Sequence, residues 1–375
     1  MVQARPTVRI LGTHGVPAAY GGFETAAENV GLYLAEHGWR VIVYCQTEGT
    51  GAITSDVWRG LERINIPVNL PGWRGTSLFD AKCVAHASRF RDVCLVFGYN
   101  TGIFNLWQRL LGTPLAINMD GIEWSRSRWG FTRQMILYIN ERFSALAGNA
   151  LIADHPVIAK YLAGRAPKHK IVTITYGAYE VRDAPEEPVL ELGLEPGKYV
   201  TVVCRAIPEN SVLELVEGFS RRKREYKLVV IGEYDLRNDP YHRTVRRAAS
   251  AEVVFPGAVF DQERLGAIRF HSALYAHGHT VGGTNPSLVE AMAAGNPVLA
   301  HNNAYNRWTA GPEAAYFVTA DHAAIQFDRL LPDPARLIAM SEASLARYRE
   351  EFTWERVARK YEALLSRLAR GEVPS

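Results

Sequence analysis

Apolar residues return along this chain in two alternating rhythms, short unbroken runs and longer stretches in which they recur every three or four positions. Val41–Tyr44, Val93–Phe97 and Ala150–Ala153 are runs of the first kind, Val8–Leu11 and Leu115–Asn118 depart from them only at Arg9 and Asn118, and all five predict buried strands. Between the first two, Phe23, Ala27, Val30 and Leu34 fall at i, i+4, i+7 and i+11, the single buried face of a helix that Gly38 ends. The pattern loosens over residues 176–188, YGAYEVRDAPEEP, which reads as a linker. A second series follows, with strands at Tyr199–Cys204, Lys227–Ile231 and Val253–Phe255 and helices at Ser211–Phe219 and Tyr241–Ala249. Such alternation implies parallel sheets, an α/β fold in two parts. Last comes Phe352–Leu368, with Trp354, Val357, Tyr361, Leu364, Leu365 and Leu368 along one side of a helix.

The densest signal lies in His277–Ala300, HGHTVGGTNPSLVEAMAAGNPVLA. Asn285 is a favoured helix cap, and Pro286 after it wastes no hydrogen bond at the first helical position. Glycines 278, 282 and 283 precede the cap, so backbone amides can close on an anion where the helix dipole favours a phosphate. Glu290, in the second turn, is an acceptor group suited to a diol such as a ribose; it equally reads as a solvated helix residue.

The other rhythms add loops where strands end. Gly12–Gly22 leads from the first strand into the first helix without the G-x-G-x-x-G spacing of dinucleotide-binding domains, which counts against a nicotinamide cofactor. Met119-Asp120-Gly121 follows one strand and Asp154-His155-Pro156 another. Asp120 can take a hydroxyl proton or form an Asx-type turn, and His155 can meet a substrate or be satisfied by backbone.

Composition changes this picture little. With 42 basic and 39 acidic residues the net charge is +3, which gives no argument for nucleic acid. The 4 cysteines lie apart with no C-x-x-C pair, so neither a zinc site nor a disulfide framework is indicated, and no D-x-D is present to hold a divalent ion. No apolar run approaches the length of a membrane helix, and no signal-peptide core follows the N-terminus. A cytoplasmic protein is expected, or one peripheral at the inner face of the membrane. Trp124–Phe131 and the arginine after it interleave Arg126, Arg128 and Arg133 with Trp124 and Trp129. That patch could rest on anionic lipid or receive a phosphorylated acceptor; alternatively its tryptophans pack on their own domain.

LVEAMAAGNPVLA resembles the donor-site motif of the family 4 glycosyltransferases of GT-B fold, and GGFE near the N-terminus with VGGTNPSLVEAMA is similar to a bacterial subgroup that includes polysaccharide rhamnosyltransferases. The resemblance implies two facing Rossmann-like domains with parallel sheets and a C-terminal helix crossing back to the first: residues 1–178 on the acceptor side, 179–350 for the nucleotide sugar, and 351–375 for the returning helix. It implies that Glu290 holds the nucleotide ribose, that Gly282, Gly283, Thr284 and Asn285 line the donor, and that Gly21 and Gly22, with Glu24, lie on the donor side. Glu24 also reads as a helix-stabilising N-terminal acid. Gly282 stands where the family usually has a glutamate contacting the donor sugar. Arg205 matches an arginine on the donor diphosphate, with a surface salt bridge as its alternative reading, and Asn210 stands where a lysine is usual. Ala258 and Val259 match a loop bordering the base, and Asp120 a histidine beside the reacting sugar.

The activity that the resemblance implies is a retaining, metal-independent transfer from a nucleoside-diphosphate sugar, with no cofactor, to a saccharide or lipid-linked saccharide in cell-surface polysaccharide synthesis. The leading donor is dTDP-rhamnose, then a UDP-hexose. A GT-B nucleotide-sugar epimerase and a non-catalytic nucleotide-sugar binder are the rival readings.

Overall fold

In a computed structural model, described for residues 5–372 apart from Tyr20, Ser127 and Arg128, the chain divides into two compact units, Met1–Tyr176 with Trp354–Ser375, and Gly177–Thr353. The first opens with β1 (Thr7–Leu11), α1 (Gly22–Glu36) and β2 (Arg40–Glu48). A hairpin, β3 (Thr54–Trp58) and β4 (Leu61–Val68), then leads through α2 (Gly72–Ala87) to β5 (Val93–Phe97). After these come α3 (Gly102–Leu110), β6 (Leu115–Asn118), α4 (Phe131–Ala147), β7 (Ala150–Ala153), α5 (Pro156–Leu162) and β8 (Ile171–Thr173). The strands form one sheet in the order β3-β4-β2-β1-β5-β6-β7-β8, parallel except for the β3–β4 pair.

The unbroken apolar runs occupy the middle of that sheet, where both faces are covered: Val8, Ile10, Val43, Leu95 and Ile117 are buried. The hairpin is absent from the apolar pattern. Its turn is Arg59-Gly60, both with positive φ (47° and 85°), as a two-residue primed turn requires, and Thr54–Val57 are exposed, so no alternation marks the strand.

The second unit begins where a loose linker is expected, yet Ala178 N–H donates to Phe352 O at 2.9 Å and Val181 N–H to Ala293 O at 3.1 Å, tying that stretch down. It continues with α6 (Glu187–Leu190), β9 (Tyr199–Val203), α7 (Val212–Ser220), β10 (Lys227–Ile231), α8 (Pro240–Ala248), β11 (Val253–Gly257) and α9 (Gln262–Phe270). Then come β12 (Leu274–His277), α10 (Pro286–Ala293), β13 (Val298–His301), α11 (Ala304–Ala310), β14 (Ala315–Phe317), α12 (Ala320–Leu330) and α13 (Pro334–Glu351). Its sheet is parallel throughout, in the order β11-β10-β9-β12-β13-β14.

The final helix, α14 (Trp354–Ala369), belongs to the first unit. Trp354, Val357, Tyr361, Leu364, Leu365 and Leu368 join one buried cluster with Ala27, Val30 and Leu34 of α1 and with Val8, Ile10 and Leu95 of the sheet. Asn118 Nδ2 at the end of β6 donates to Tyr361 Oη at 3.1 Å. The sheet is therefore closed on that side by residues distant in sequence.

Candidate nucleotide-sugar site

In both sheets the strand order reverses beside the first strand, between β1 and β5 and between β9 and β12. Loops leaving the carboxyl ends of such neighbours diverge and open a crevice, the usual ligand position in open parallel sheets.

In the second unit the two loops at the reversal are stitched together. After β9 the chain passes Arg205 and a single turn at Pro208–Asn210, then enters α7 through Ser211, whose φ is 44°. Arg205 O accepts from Ile207 N at 2.8 Å and from Asn210 Nδ2 at 2.8 Å, which pins the backbone. Its side chain is exposed, and the guanidinium enters no ion pair among the described residues. Asn210 is buried with its Nδ2 committed to that carbonyl, so it shapes the loop.

The loop after β12 lies directly against this one. A Cβ on Gly278 would stand 2.0 Å from Asn210 O, a closeness only glycine permits. Thr280 donates to Glu209 O at 2.9 Å from both its amide and its hydroxyl. Further along, Gly282 has φ +131°, a backbone setting that a glutamate would adopt only with strain, and a Cβ there would meet nothing within 4 Å. Thr284 is buried. Asn285 caps α10 as its sequence predicts: its Oδ1 accepts from Ser287 N at 3.1 Å and Ser287 Oγ at 2.9 Å, with Pro286 at the first helical position. The loop that leads into α10 is thus tied, at Gly278 and Thr280, to the loop that carries Arg205.

Glu290 is not a freely solvated residue. Arg269 of α9, 4% exposed along its side chain, donates to Glu290 Oε2 at 2.7 Å, while Glu290 stays 28% exposed. One carboxylate oxygen is anchored and the group is aimed. Nothing in the sequence announces Arg269, an arginine in the unremarkable stretch RLGAIRF. Ala258 and Val259 lie off β11, and Val259 packs against a cluster containing Tyr199, Ile231 and Leu265. Behind the site, at the end of β12, His277 is buried and stacks on His279 at 4.3 Å between ring centres. Neither His277 ring nitrogen has a hydrogen-bond partner among the described residues, and burial holds its imidazole well below the usual histidine range. Among the described residues no group of His, Cys, Asp and Glu is arranged to hold a metal ion. Two surface hollows of this unit, one lined by Arg222, Tyr226 and Pro334 and the other by Glu180, Phe270 and Arg349, do not include these loops.

In the first unit the glycine loop is braced from α1. Glu24 Oε1 accepts from His14 N at 3.0 Å and Glu28 Oε2 from Ala18 N at 2.7 Å. A Cβ on Gly21, where φ is 108°, would meet Glu24 Oε2 at 2.5 Å, and Gly22 opens α1. Glu24 is buried, so the donor-side role expected for its carboxylate gives way to holding this loop. Asp120 takes φ 52° in an Asx turn made by Asn118, whose Oδ1 accepts from Asp120 N at 3.0 Å. His155 is fully buried and caps α5, its Nδ1 accepting from Val157 N at 3.0 Å, so it is a structural histidine and not a substrate contact. Beside the β1–β5 reversal a small cavity of about 50 Å³ is lined by Gly12, Gly98, Thr101, Asn105 and Asp80. Asp80 Oδ2 accepts from Thr101 Oγ1 at 2.8 Å, and burial pushes its carboxyl up to about 6.

The two tryptophans of the tryptophan–arginine patch are hydrogen-bonded inward. Trp124 Nε1 donates to Glu141 at 3.0 Å and to Tyr161 Oη at 2.9 Å, Trp129 Nε1 to Glu123 at 3.3 Å, and Arg126 pairs with Glu123 at 2.6 Å. Both indole N–H groups are spent within their own unit, while Phe131 and Arg133 at the start of α4 are exposed; Arg128 lies outside the described residues.

Residues 197–332, which contain Arg205, the Gly278–Asn285 loop, Arg269 and Glu290, match the family model Glycosyl transferases group 1. The chain is a glycosyltransferase. Residues 5–179 of the enzyme match a family described as Domain of unknown function (DUF1972). No curated protein matches the chain. Among solved structures, sucrose-phosphate synthase from Thermosynechococcus elongatus superposes with a TM-score of 0.82 at 18% identity, covering 98% of this chain and 100% of that one. HepE from Anabaena, solved with UDP, gives 0.74 at 14%, covering 96% and 99%. An α,α-trehalose 6-phosphate synthase from Burkholderia multivorans gives 0.73 at 14%, covering 98% and 100%. At such identities the likeness is one of fold, and the fold is GT-B.

Proposed function

We propose that the enzyme is a retaining, metal-independent glycosyltransferase that moves a sugar from a nucleoside-diphosphate donor, dTDP-rhamnose before others, to a saccharide or lipid-linked saccharide of a cell-surface polysaccharide. The observation that supports this reading is the stitched pair of loops: the loop that carries the exposed Arg205 is bonded through Glu209 O to Thr280 of the loop that leads into the capped helix α10. A guanidinium bridges two phosphate oxygens, and the helix end adds backbone amides and a favourable dipole, so a leaving diphosphate is stabilised by fixed donors.

In the transfer the bond from the anomeric carbon to the diphosphate oxygen breaks and its electron pair leaves with the nucleoside diphosphate. The acceptor oxygen bonds to that carbon on the same face, and its proton passes to an oxygen of the departing phosphate. Glu290, aimed by Arg269, accepts from the ribose hydroxyls. Asp120, beside the first unit's strand ends, is the residue we assign to the acceptor hydroxyl.

An open Gly282 in place of a carboxylate supports a donor sugar with fewer hydroxyl contacts, as in a 6-deoxyhexose. The second reading, a UDP-hexose donor, is favoured by HepE, a structure of like fold solved with UDP-glucose.

A thermal-shift panel of dTDP, UDP, GDP and their sugars tests both, because a ligand that binds only the folded state raises its melting temperature. The expected result is a larger shift with dTDP, and a roughly tenfold or greater loss of nucleotide affinity in Arg205→Ala, the scale of a charge-assisted pair. Wild-type affinity in that variant would falsify the phosphate role; a preference for UDP would select the second donor.

A further inference from the structure

Two neighbouring helices of the first unit are packed inside out. In α3 the buried positions are Gly102, Asn105 and Gln108. The exposed stripe at i, i+4 and i+7 is Ile103, Trp107 and Leu110, 51%, 57% and 80% exposed. In α4 the buried face includes Asn140, Glu141 and Ser144 beside Leu137 and small residues. Its outward stripe at i, i+4 and i+8 is Phe131, Met135 and Ile139, each more than 40% exposed.

The polar residues go inward because they make the junction. A Cβ on Gly102 would fall 2.2 Å from both Asn140 O and Ser144 Oγ, so the two helices touch there. Asn140 Oδ1 accepts from Ile103 N at 3.0 Å, and Gln108 Nε2 donates to Cys94 Sγ at 3.5 Å. The apolar stripes are left on the outside of this helix pair, an arrangement that water penalises and that marks an interaction site.

Charge identifies what covers it. Every exposed charge on the two helices is an arginine: Arg109 on α3, Arg133 and Arg142 on α4. The single carboxylate, Glu141, is buried and paired with Arg165 at 2.9 Å. A second copy of the chain would set these arginines against one another across a two-fold axis. Helices with an apolar stripe flanked by cations lie in the plane of an anionic bilayer, the stripe among the acyl chains and the guanidinium groups at the headgroups.

We propose that the outer face of α3 and α4 docks the enzyme on an anionic lipid surface. The inference is independent of the donor, since no nucleotide enters its test. The full-length protein is sedimented with vesicles of phosphatidylcholine alone and with vesicles that also contain phosphatidylglycerol. Binding is expected to the second kind, weakening as salt rises.

Trp107→Glu with Leu110→Glu is expected to lower that partitioning by roughly tenfold or more, a loss of two inserted apolar side chains. Circular dichroism checks that the variant is folded. Arg109→Gln with Arg133→Gln, which leaves the apolar stripe in place, is expected to remove the preference for phosphatidylglycerol. The proposal is overturned if the wild type stays in solution with both kinds of vesicle or if the glutamate variant sediments like the wild type. It is overturned equally if light scattering finds a dimer that the glutamate variant dissolves while neither protein binds lipid.

Discussion

Asp80 carries a local tension that can be measured. Its carboxyl, hydrogen-bonded to Thr101 and buried, titrates at about 6 instead of near 4. Between those values the folded protein keeps a proton that the unfolded chain has released. The contribution is therefore favourable in acid and is lost as pH rises through about 6, after which a buried charge remains. Asp80→Asn should be more stable than wild type near neutral pH, by up to roughly 3 kcal/mol, with the gap closing towards pH 4. Chemical denaturation at both pH values reads the difference, and a gap that does not change with pH would contradict the assignment. Single residues are the hardest feature to read from the chain alone. Glu24 and His155 carry chemistry-bearing groups in suggestive loops, but their partners are backbone amides whose positions depend on the folded loop. Gly282 is legible as a departure from a motif, whereas the φ that favours glycine there belongs to the three-dimensional loop.

At the scale of elements, the donor side depends on how α9 and α10 are joined. Arg269→Met would leave Glu290 without its buried partner and, with Glu290 still partly in water, should cost about 1–3 kcal/mol of stability. It should also weaken binding of a nucleoside diphosphate while leaving that of pyrophosphate unchanged, because only the former presents a ribose to Glu290. Equal losses for the two ligands, followed by calorimetry, would remove Glu290 from ribose recognition. Elements whose signals are local can be read from the chain: the Asn285-Pro286 cap, the apolar strands and the terminal helix appear where their residues predict. The β3–β4 hairpin is not legible, since an Arg-Gly turn and an exposed strand offer neither the usual turn pair nor alternation. The outward faces of α3 and α4 are hidden for a different reason. A periodic stripe tells which residues share a face, but it does not tell whether that face meets protein, and here Asn140 and Gln108 take the inside.

For the molecule as a whole, sequence order and structural order differ. The first unit is completed by α14, whose buried side chains contribute on the order of 10 kcal/mol to closing its sheet, comparable to the whole stability of a domain. Truncation after Thr353 should therefore unfold the first unit while sparing the second, whose ends meet at the bridge between Ala178 and Thr353. Limited proteolysis with mass spectrometry would show the outcome: fragments confined to residues before Gly177 are expected, and a first unit as resistant as in the full chain would refute it.

The same feature sets a timetable on the ribosome. Strands β1 to β8 emerge early, yet the helix that covers their apolar side is translated only after the entire intervening unit, a wait of roughly ten seconds or more at ordinary elongation rates. During that interval the nascent half-domain exposes the apolar side of its sheet, a surface that invites chaperones and aggregation until α14 arrives to cover it.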